Sequence, residues 1–131
     1  MRTFETSIEV RSYELDSFGH LNHAVYLNYF EHARFRAFAQ GGFPLTLLEQ
    51  RGWAIHVVRA EVDYVKELKL SERVTIRTSV VEWKRSSTVI QQAAIKEDTD
   101  QVAARGVIHA VWIGPNRRPM RIPEEAREAL A

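Results

Sequence analysis

The sequence predicts an α+β domain in which a single five-stranded antiparallel sheet curves around one long helix. Three observations lead to this prediction: one alternating segment comes first, one long segment with helical periodicity follows, and four consecutive strand-like segments come next. A sheet with one apolar face and a helix with an apolar stripe bury both surfaces by packing together. No repeat or linker divides the chain, so residues 1–131 are expected to form one domain.

The first strand is predicted over residues 4–10. Phe4, Ile8 and Val10 fall on one side of this segment and polar residues alternate with them, the period of two that is typical of a half-buried strand. Residues 11–22 then break the pattern with side chains that hydrogen-bond their own backbone, which indicates a loop. Loops of this kind often carry chemistry.

The long helix is predicted over residues 23–39, which contain no glycine or proline. Asn22 is a suitable N-cap, and Gly41 and Gly42 end the helix. A short helical turn is expected over residues 43–51. Spacings of three and four place these apolar residues on one helical face, which predicts core packing: Tyr26, Tyr29, Phe30, Ala33, Ala37 and Phe38.

Four strands are predicted after the helices, joined where possible by tight hairpin turns. A change of apolar phase after Val80 predicts a β-bulge. The last strand is apolar at nearly every position, so it is expected inside the sheet with both faces covered. A short helix is expected over residues 123–130. The predicted strands span residues 53–66, 73–84, 87–96 and 102–113.

Composition excludes several classes of function. Hydrophobic residues make up 45% of the chain and charged residues 27%, with a formal net charge of +1, so the chain has no overall field for binding nucleic acid. No apolar run approaches the roughly 20 residues of a membrane-spanning helix, and the N-terminus lacks a secretory pattern, so a cytoplasmic protein is expected. The absence of cysteine excludes a cysteine nucleophile.

The chemically informative residues are Asp16, His20 and His23, which lie immediately before the predicted helix. Free N–H groups at a helix start, together with the helix dipole, favour negative charge and can stabilise an oxyanion. A lone carboxylate beside them is sufficient for thioester hydrolysis, because a thiolate leaves without prior protonation. The alternative interpretation is structural: Asp16 fixes the loop, and the two histidines lie on the surface.

The run D-S-F-G-H-L-N-H-A-V-Y-L-N-Y-F-E-H-A-R, residues 16–34, resembles the signature of the 4-hydroxybenzoyl-CoA thioesterase family, which includes YbgC-like acyl-CoA thioesterases. Val62-Asp63-Tyr64 and the following strand resemble the family as well. The resemblance implies a hotdog fold. It also implies hydrolysis of an acyl-CoA thioester to a free carboxylic acid and coenzyme A, with the acyl group left open.

The resemblance also implies roles for residues. Asp16 falls on the catalytic aspartate, a nucleophile or general base, and the N–H of His23 falls on the donor that polarises the thioester carbonyl. In the YbgC-like branch this histidine also acts through its side chain, together with a tyrosine four residues before the aspartate. Ser12 stands at that position here and Tyr13 follows it, so the role of the tyrosine is not carried over to this chain.

Further site residues are expected around this centre. His20 would brace the loop or Asp16, and Gly19 would allow close backbone approach. Asn22 and Tyr26 are expected at the substrate. Basic side chains can bind the phosphates of coenzyme A, and the candidates are Arg59, Lys84, Arg85, Arg117 and Arg118.

The resemblance implies no cofactor beyond the coenzyme A of the substrate, and a homodimer or homotetramer that pairs through the edge strand 53–66. Three alternatives remain. Asp16, His20 and His23 are conceivable zinc ligands, although they lack the i, i+4 spacing of a helical site. The second alternative is a non-catalytic acyl-binding module. The third is a thioesterase that acts on acyl-carrier protein. A serine hydrolase is excluded because no G-x-S-x-G motif occurs.

Overall fold

The computed structural model describes residues 1–131 and contains one antiparallel sheet and three α-helices. In chain order the elements are β1 (Phe4–Glu9), a 3-10 turn (Ser12–Glu14), α1 (Val25–Gln40), α2 (Leu45–Arg51), β2 (Ala54–Tyr64), β3 (Arg73–Trp83), β4 (Ser87–Lys96), β5 (Val102–Ile113) and α3 (Glu124–Leu130). The strands lie in the order β1-β3-β4-β5-β2, and every neighbouring pair is antiparallel. The predicted five-stranded antiparallel sheet is therefore confirmed.

The prediction of one long central helix is not confirmed. α1 has 16 residues, and α2 and α3 are separate helices of seven residues each. α1 begins at Val25, two residues later than predicted, because the chain makes a turn at His23 and Ala24 before regular helix starts. No helix in the chain has the length and apolar character needed to span a membrane.

The predicted β-bulge in β3 is present. Val80 pairs with Ile90 and Glu82 pairs with Val89, so Val81 is the extra residue and the apolar phase changes there. β2 has a similar shift between Val57 and Arg59.

β5 lies inside the sheet between β4 and β2, next to an edge strand instead of at the centre. Its inward residues Ile108, Ala110 and Trp112 are buried, whereas Val107 and Val111 on the other face are only half-buried. The expectation that both faces are fully covered is therefore wrong for the outer face, because all three helices contribute to the core on the inner side.

α1 supplies side chains to both halves of the core. Phe30 is fully buried in one cluster, and Phe38 lies in the other with Trp112. A Cβ at Gly106 would lie 2.9 Å from the Phe30 ring, so a glycine in β5 is what lets the helix approach the sheet. Complete burial of one such side chain stabilises the fold by roughly 1.5–3 kcal/mol.

The sheet has two edges, β1 and β2, and β2 is the more exposed of them. Val57 and Val58 on β2 are 47% and 65% exposed. Leu27 and Phe35 of α1 are also partly exposed. Large apolar side chains therefore lie on both the free strand and the helix beside it, a pattern typical of interaction surfaces.

Candidate active site

The loop between the 3-10 turn and α1 is closed by its own main chain. The N–H of Asp16 donates to the C=O of His20 (2.8 Å), and the N–H of Leu21 donates to the C=O of Leu68 (2.7 Å) just before β3. Gly19 has φ +81°, in the left-handed region that favours glycine. No atom lies within 4 Å of a Cβ built at Gly19, so within one chain its backbone angle, and not a close approach, requires glycine.

The Asp16 carboxylate is held by one of its two oxygens. Oδ1 accepts hydrogen bonds from the N–H groups of Phe18 (2.9 Å) and His20 (3.1 Å), while Oδ2 accepts none. The hydrogen bond from the His20 N–H is the main cause that lowers the pKa of Asp16 below its ordinary value, and the Phe18 N–H adds to it. Asp16 is therefore ionised at neutral pH and has one oxygen free for chemistry.

The turn that precedes α1 is the second part of the site. The Asn22 side chain accepts a hydrogen bond from the N–H of Ala24 (2.9 Å), and the Asn22 C=O accepts from Val25 (2.9 Å). Asn22 thus holds the turn that precedes α1. The N-cap of α1 is Ala24, so the prediction of Asn22 as the helix N-cap is wrong, because the turn comes before the regular helix. The N–H of His23 has no acceptor within the chain.

Tyr64, which packs against Tyr26, fixes the main chain at His23. The hydroxyl of Tyr64, the last residue of β2, donates to the C=O of His23 (2.8 Å). The Tyr64 ring contacts the Tyr26 ring edge to face at 5.2 Å. Tyr26 is 4% exposed, and burial, assisted by the nearby Tyr64, raises the pKa of Tyr26 to about 12. Tyr26 is therefore a neutral hydrogen-bonding group in this cavity.

These groups surround a shallow cavity of about 260 Å³. It unites four of the predicted site residues with side chains from the end of β2. Its lining consists of Asp16, His20, Leu21, His23, Tyr26, Tyr64, Val65, Lys66 and Glu67. The main-chain N–H of His20, not its ring, contacts Asp16, and the His20 ring faces Glu67 at 3.9 Å.

A buried carboxylate next to the site was not predicted from the sequence. Glu14 is 8% exposed and accepts hydrogen bonds from Tyr29 Oη (2.6 Å) and Arg11 Nη2 (2.9 Å). Burial alone raises the pKa of Glu14, but the bonds from Arg11 and Tyr29 outweigh it and hold the pKa below its ordinary value. The C=O of Glu14 accepts from the N–H of Asn22 (3.0 Å), so this residue ties both ends of the Asp16 loop to α1.

Tyr13 does not take the place of the tyrosine that the family has before its aspartate. Its ring is 78% exposed and lies against the Arg11 guanidinium at 5.6 Å. Neither Ser12 nor Tyr13 lines the Asp16 cavity.

Four of the five basic candidates lie at the far end of the sheet from Asp16 of the same chain. Lys84 and Arg85 form the β3–β4 turn, whereas the Asp16 loop contacts the segment that enters β3 at its other end. The 11 residues of β3 separate these two ends by roughly 33 Å. Arg117 and Arg118 follow β5 at the same far end, and Arg59 is 66% exposed and paired with Glu61.

A second, larger cavity of about 480 Å³ opens at the other end of α1. Ten of its 14 lining residues are hydrophobic, and it shares no residue with the Asp16 cavity. α1, α2 and the first half of β2 form its walls, through side chains such as Phe38, Leu48 and Ile55. This cavity could not be predicted from the sequence, because residues of α1, α2 and β2 come together only in the folded chain.

The chain contains no group of three or more His, Cys, Asp or Glu side chains placed to hold a metal ion. Asp16, His20 and His23 lie around one cavity, yet they do not converge on a common point. The zinc alternative therefore has no ligand set in this fold.

Comparison with known proteins gives consistent results. The family model of the thioesterase-like superfamily matches residues 10–130. The long-chain acyl-CoA thioesterase FadM of Escherichia coli is 28% identical, with 96% of this chain and 96% of that protein covered. A chloroplastic acyl-acyl carrier protein thioesterase of Arabidopsis thaliana is 27% identical over 94% of this chain, which spans 65% of that relative's length.

A solved structure is similar over nearly the whole fold. The DHNA-CoA thioesterase of Staphylococcus aureus superimposes with a TM-score of 0.90 at 27% identity, covering 98% of this chain and 89% of that one. The five-stranded antiparallel sheet of the fold implied by the sequence resemblance is therefore confirmed.

Proposed function

Because the chain belongs to the thioesterase-like superfamily, we propose that it is an acyl-CoA thioesterase, which hydrolyses a thioester to a carboxylic acid and coenzyme A. One observation carries this proposal: the charged Asp16 carboxylate, with Oδ2 free, shares a cavity with His23, whose N–H is unoccupied. The reaction uses no cofactor, and coenzyme A is its leaving group.

The role of Asp16 follows from its geometry. The two main-chain bonds to Oδ1 fix the carboxylate, and Oδ2 either attacks the thioester carbon or removes a proton from an attacking water. In the first route an Asp16 anhydride forms as the thiolate leaves, and water then hydrolyses it. In the second route the water oxygen enters the acid directly and its proton passes through Asp16 to the departing thiolate.

The carbonyl oxygen of the thioester binds at the start of α1. The N–H of His23 is positioned to donate to it, and the dipole of α1 favours the negative charge that develops there. Tyr64 donates to the C=O of His23 and so fixes the orientation of this peptide. The preorganised donor contributes more in the transition state than in the ground state, because charge on the oxygen increases.

The working unit is a dimer formed through the free edge of β2. The unpaired strand and the exposed apolar residues Val58, Leu27 and Phe35 support this assignment. When a strand pairs with its own copy about a two-fold axis, its C-terminal end meets the N-terminal end of the partner. The Tyr64 end of one copy, which adjoins Asp16, then lies beside the Ala54 end of the other, which adjoins the larger cavity.

Hydrolysis of acyl-carrier protein thioesters is a second candidate function, favoured by the similarity to the plant thioesterases. A panel of short and long acyl-CoA and acyl-carrier protein thioesters tests both, with thiol release as the readout. Faster turnover of the coenzyme A series supports the first function and faster turnover of the carrier series supports the second. No turnover of any thioester, with acyl groups still bound, would instead identify an acyl-binding module.

A further inference from the structure

Arg34 in the middle of α1 is a buried cation without an anion. It is 9% exposed, and no carboxylate forms an ion pair with it. Glu31, one turn earlier, is the nearest acidic influence, yet it is exposed and makes no hydrogen bond to the guanidinium. Burial of a charge without a partner costs free energy, so a guanidinium in this setting favours a ligand that supplies an acceptor.

The guanidinium is held in place by a polar network. Arg34 Nη1 donates to Gln92 Oε1 (2.9 Å). Gln92 Nε2 in turn donates to the C=O of Phe30 (2.9 Å) and to Thr78 Oγ1 (3.0 Å). A guanidinium has five N–H donors, and Gln92 is its single hydrogen-bonding partner in the chain. The remaining donors are therefore available in a fixed orientation.

Arg34 lines the larger cavity between α1, α2 and β2. The volume of about 480 Å³ lies in the range of cavities that bind small molecules. Phe38, Leu48 and Ile90 form apolar walls. The polar lining consists of the buried Arg34 and three exposed residues, Glu31, Glu49 and His56. A mostly apolar cavity whose single buried polar side chain is a cation fits a ligand with an apolar body and an oxygen acceptor at one end.

We propose that this cavity binds the acyl group of the thioester and that Arg34 selects acyl groups with a carboxylate or hydroxyl oxygen at their far end. The inference rests on the proposed thioesterase function and on the paired β2 strands, which bring the partner's reaction centre to this cavity. A guanidinium and a carboxylate form two parallel hydrogen bonds, so a dicarboxylic acyl group is the best match. Arg34 is therefore a specificity-determining residue.

The experiment compares hexanoyl-CoA, 6-hydroxyhexanoyl-CoA and adipoyl-CoA, which share one chain length. The variants are Arg34→Met, which keeps the length of the side chain without its charge, and the control Arg36→Met, on the exposed side of α1. In the wild type kcat/KM for adipoyl-CoA is expected to exceed that for hexanoyl-CoA at least about tenfold. Arg34→Met is expected to lower the ratio of kcat/KM for adipoyl-CoA to that for hexanoyl-CoA to about one. Arg36→Met is expected to leave this ratio unchanged.

Binding of the free acids separates this inference from the proposed function. Calorimetric titration with adipate and hexanoate needs no turnover. If adipate binds more tightly than hexanoate to the wild type but not to Arg34→Met, the role of Arg34 is supported even without hydrolysis. If both proteins hydrolyse the thioesters and the ratio of kcat/KM for adipoyl-CoA to that for hexanoyl-CoA is the same in the wild type and in Arg34→Met, the inference is overturned. The proposed function would still stand.

Two further measurements keep the result interpretable. If sedimentation shows that Arg34→Met loses its dimer with no specific loss of adipoyl preference, the missing anion belongs to a second copy of the chain and the inference fails. If Arg34→Met does not fold, Arg34→Lys is used instead. Lysine keeps the charge but not the planar fork, so the adipoyl preference is expected to fall severalfold, and an unchanged preference would contradict the role of the fork.

Discussion

The start and the second half of α1 differ in chemistry. At the start of the helix, Asp16 and His23 present a free carboxylate oxygen and a free N–H in an open, polar cavity. Near the middle of the helix, Arg34 lies in a largely apolar cavity. About 16 Å of helix separates His23 from Arg34. One chain therefore carries the reactive groups at one place and the volume for a ligand at another, and the proposed pairing of β2 with a second copy would unite them.

The largest expected effect concerns the reactive end. Asp16→Asn keeps Oδ1 as an acceptor for the two loop N–H groups but replaces the free oxygen with an amide, which neither attacks nor accepts a proton. We expect kcat to fall at least about a hundredfold with KM little changed. Steady-state kinetics on the best thioester of the panel measures this. Asp98→Asn, in the exposed β4–β5 turn, is the control and should retain full activity. Activity of Asp16→Asn equal to that of the wild type would mean that the chemistry does not take place at Asp16.

A smaller effect is expected from the support beneath the reactive end. Glu14→Gln removes the charge that Tyr29 and Arg11 bind, so we expect the free energy of unfolding at pH 7 to fall by roughly 1–3 kcal/mol. Since the pKa of Glu14 is lowered in the folded protein, its stabilisation is present above the ordinary pKa of a glutamate and is lost as the pH falls through the folded value.

Thermal unfolding between pH 7 and pH 3 tests this assignment. The difference in Tm between the wild type and Glu14→Gln should shrink as the pH falls. The exposed Glu9→Gln serves as the matched control and should change Tm little at any pH. A constant difference between wild type and Glu14→Gln across the whole range would show that the carboxylate charge is not what holds the loop.

The smallest expected effect is at Tyr64. Tyr64→Phe removes the hydrogen bond to the C=O of His23 and leaves the ring contact with Tyr26 in place. The N–H of His23 then loses part of its orientation, so kcat should fall roughly threefold to tenfold. Kinetics with the control Tyr13→Phe, whose ring lies outside the cavity, gives the reference. Loss of substrate affinity alone, with kcat unchanged, would argue against an orienting role.

The sequence predicted the parts of the site that depend on neighbours in the chain. The bonds of Asp16 to Phe18 and His20 and the bond of the Asn22 side chain to Ala24 are local, so residue types and spacing indicate them, although Asn22 was expected at the helix N-cap. Tyr64 reaches His23 across 41 positions, and no local pattern shows such a contact. In the sequence, Tyr64 stands out only as part of Val62-Asp63-Tyr64, which resembles the family.

Other features depend on the order of strands in the sheet. Lys84 was expected near the substrate, yet the length of β3 puts it at the far end from Asp16 of its own chain. Glu14 lies in the predicted loop of residues 11–22, and no local pattern shows its burial, because that burial comes from contact with Tyr29 of α1. The Arg34 cavity exists only because β2 lies beside α1, and the alternation within each segment does not determine that arrangement.

Complementation between two inactive variants tests most directly whether the two ends act together across a dimer. Asp16→Asn lacks the reactive oxygen, and Ala110→Phe fills the larger cavity; each is expected to be inactive alone. After exchange of subunits in an equal mixture, half of the dimers are mixed, and each mixed dimer has one intact site. We expect recovery of roughly a quarter of wild-type activity. No recovery, with mixed dimers demonstrated by sedimentation or mass spectrometry, would contradict it and place the whole site within one chain.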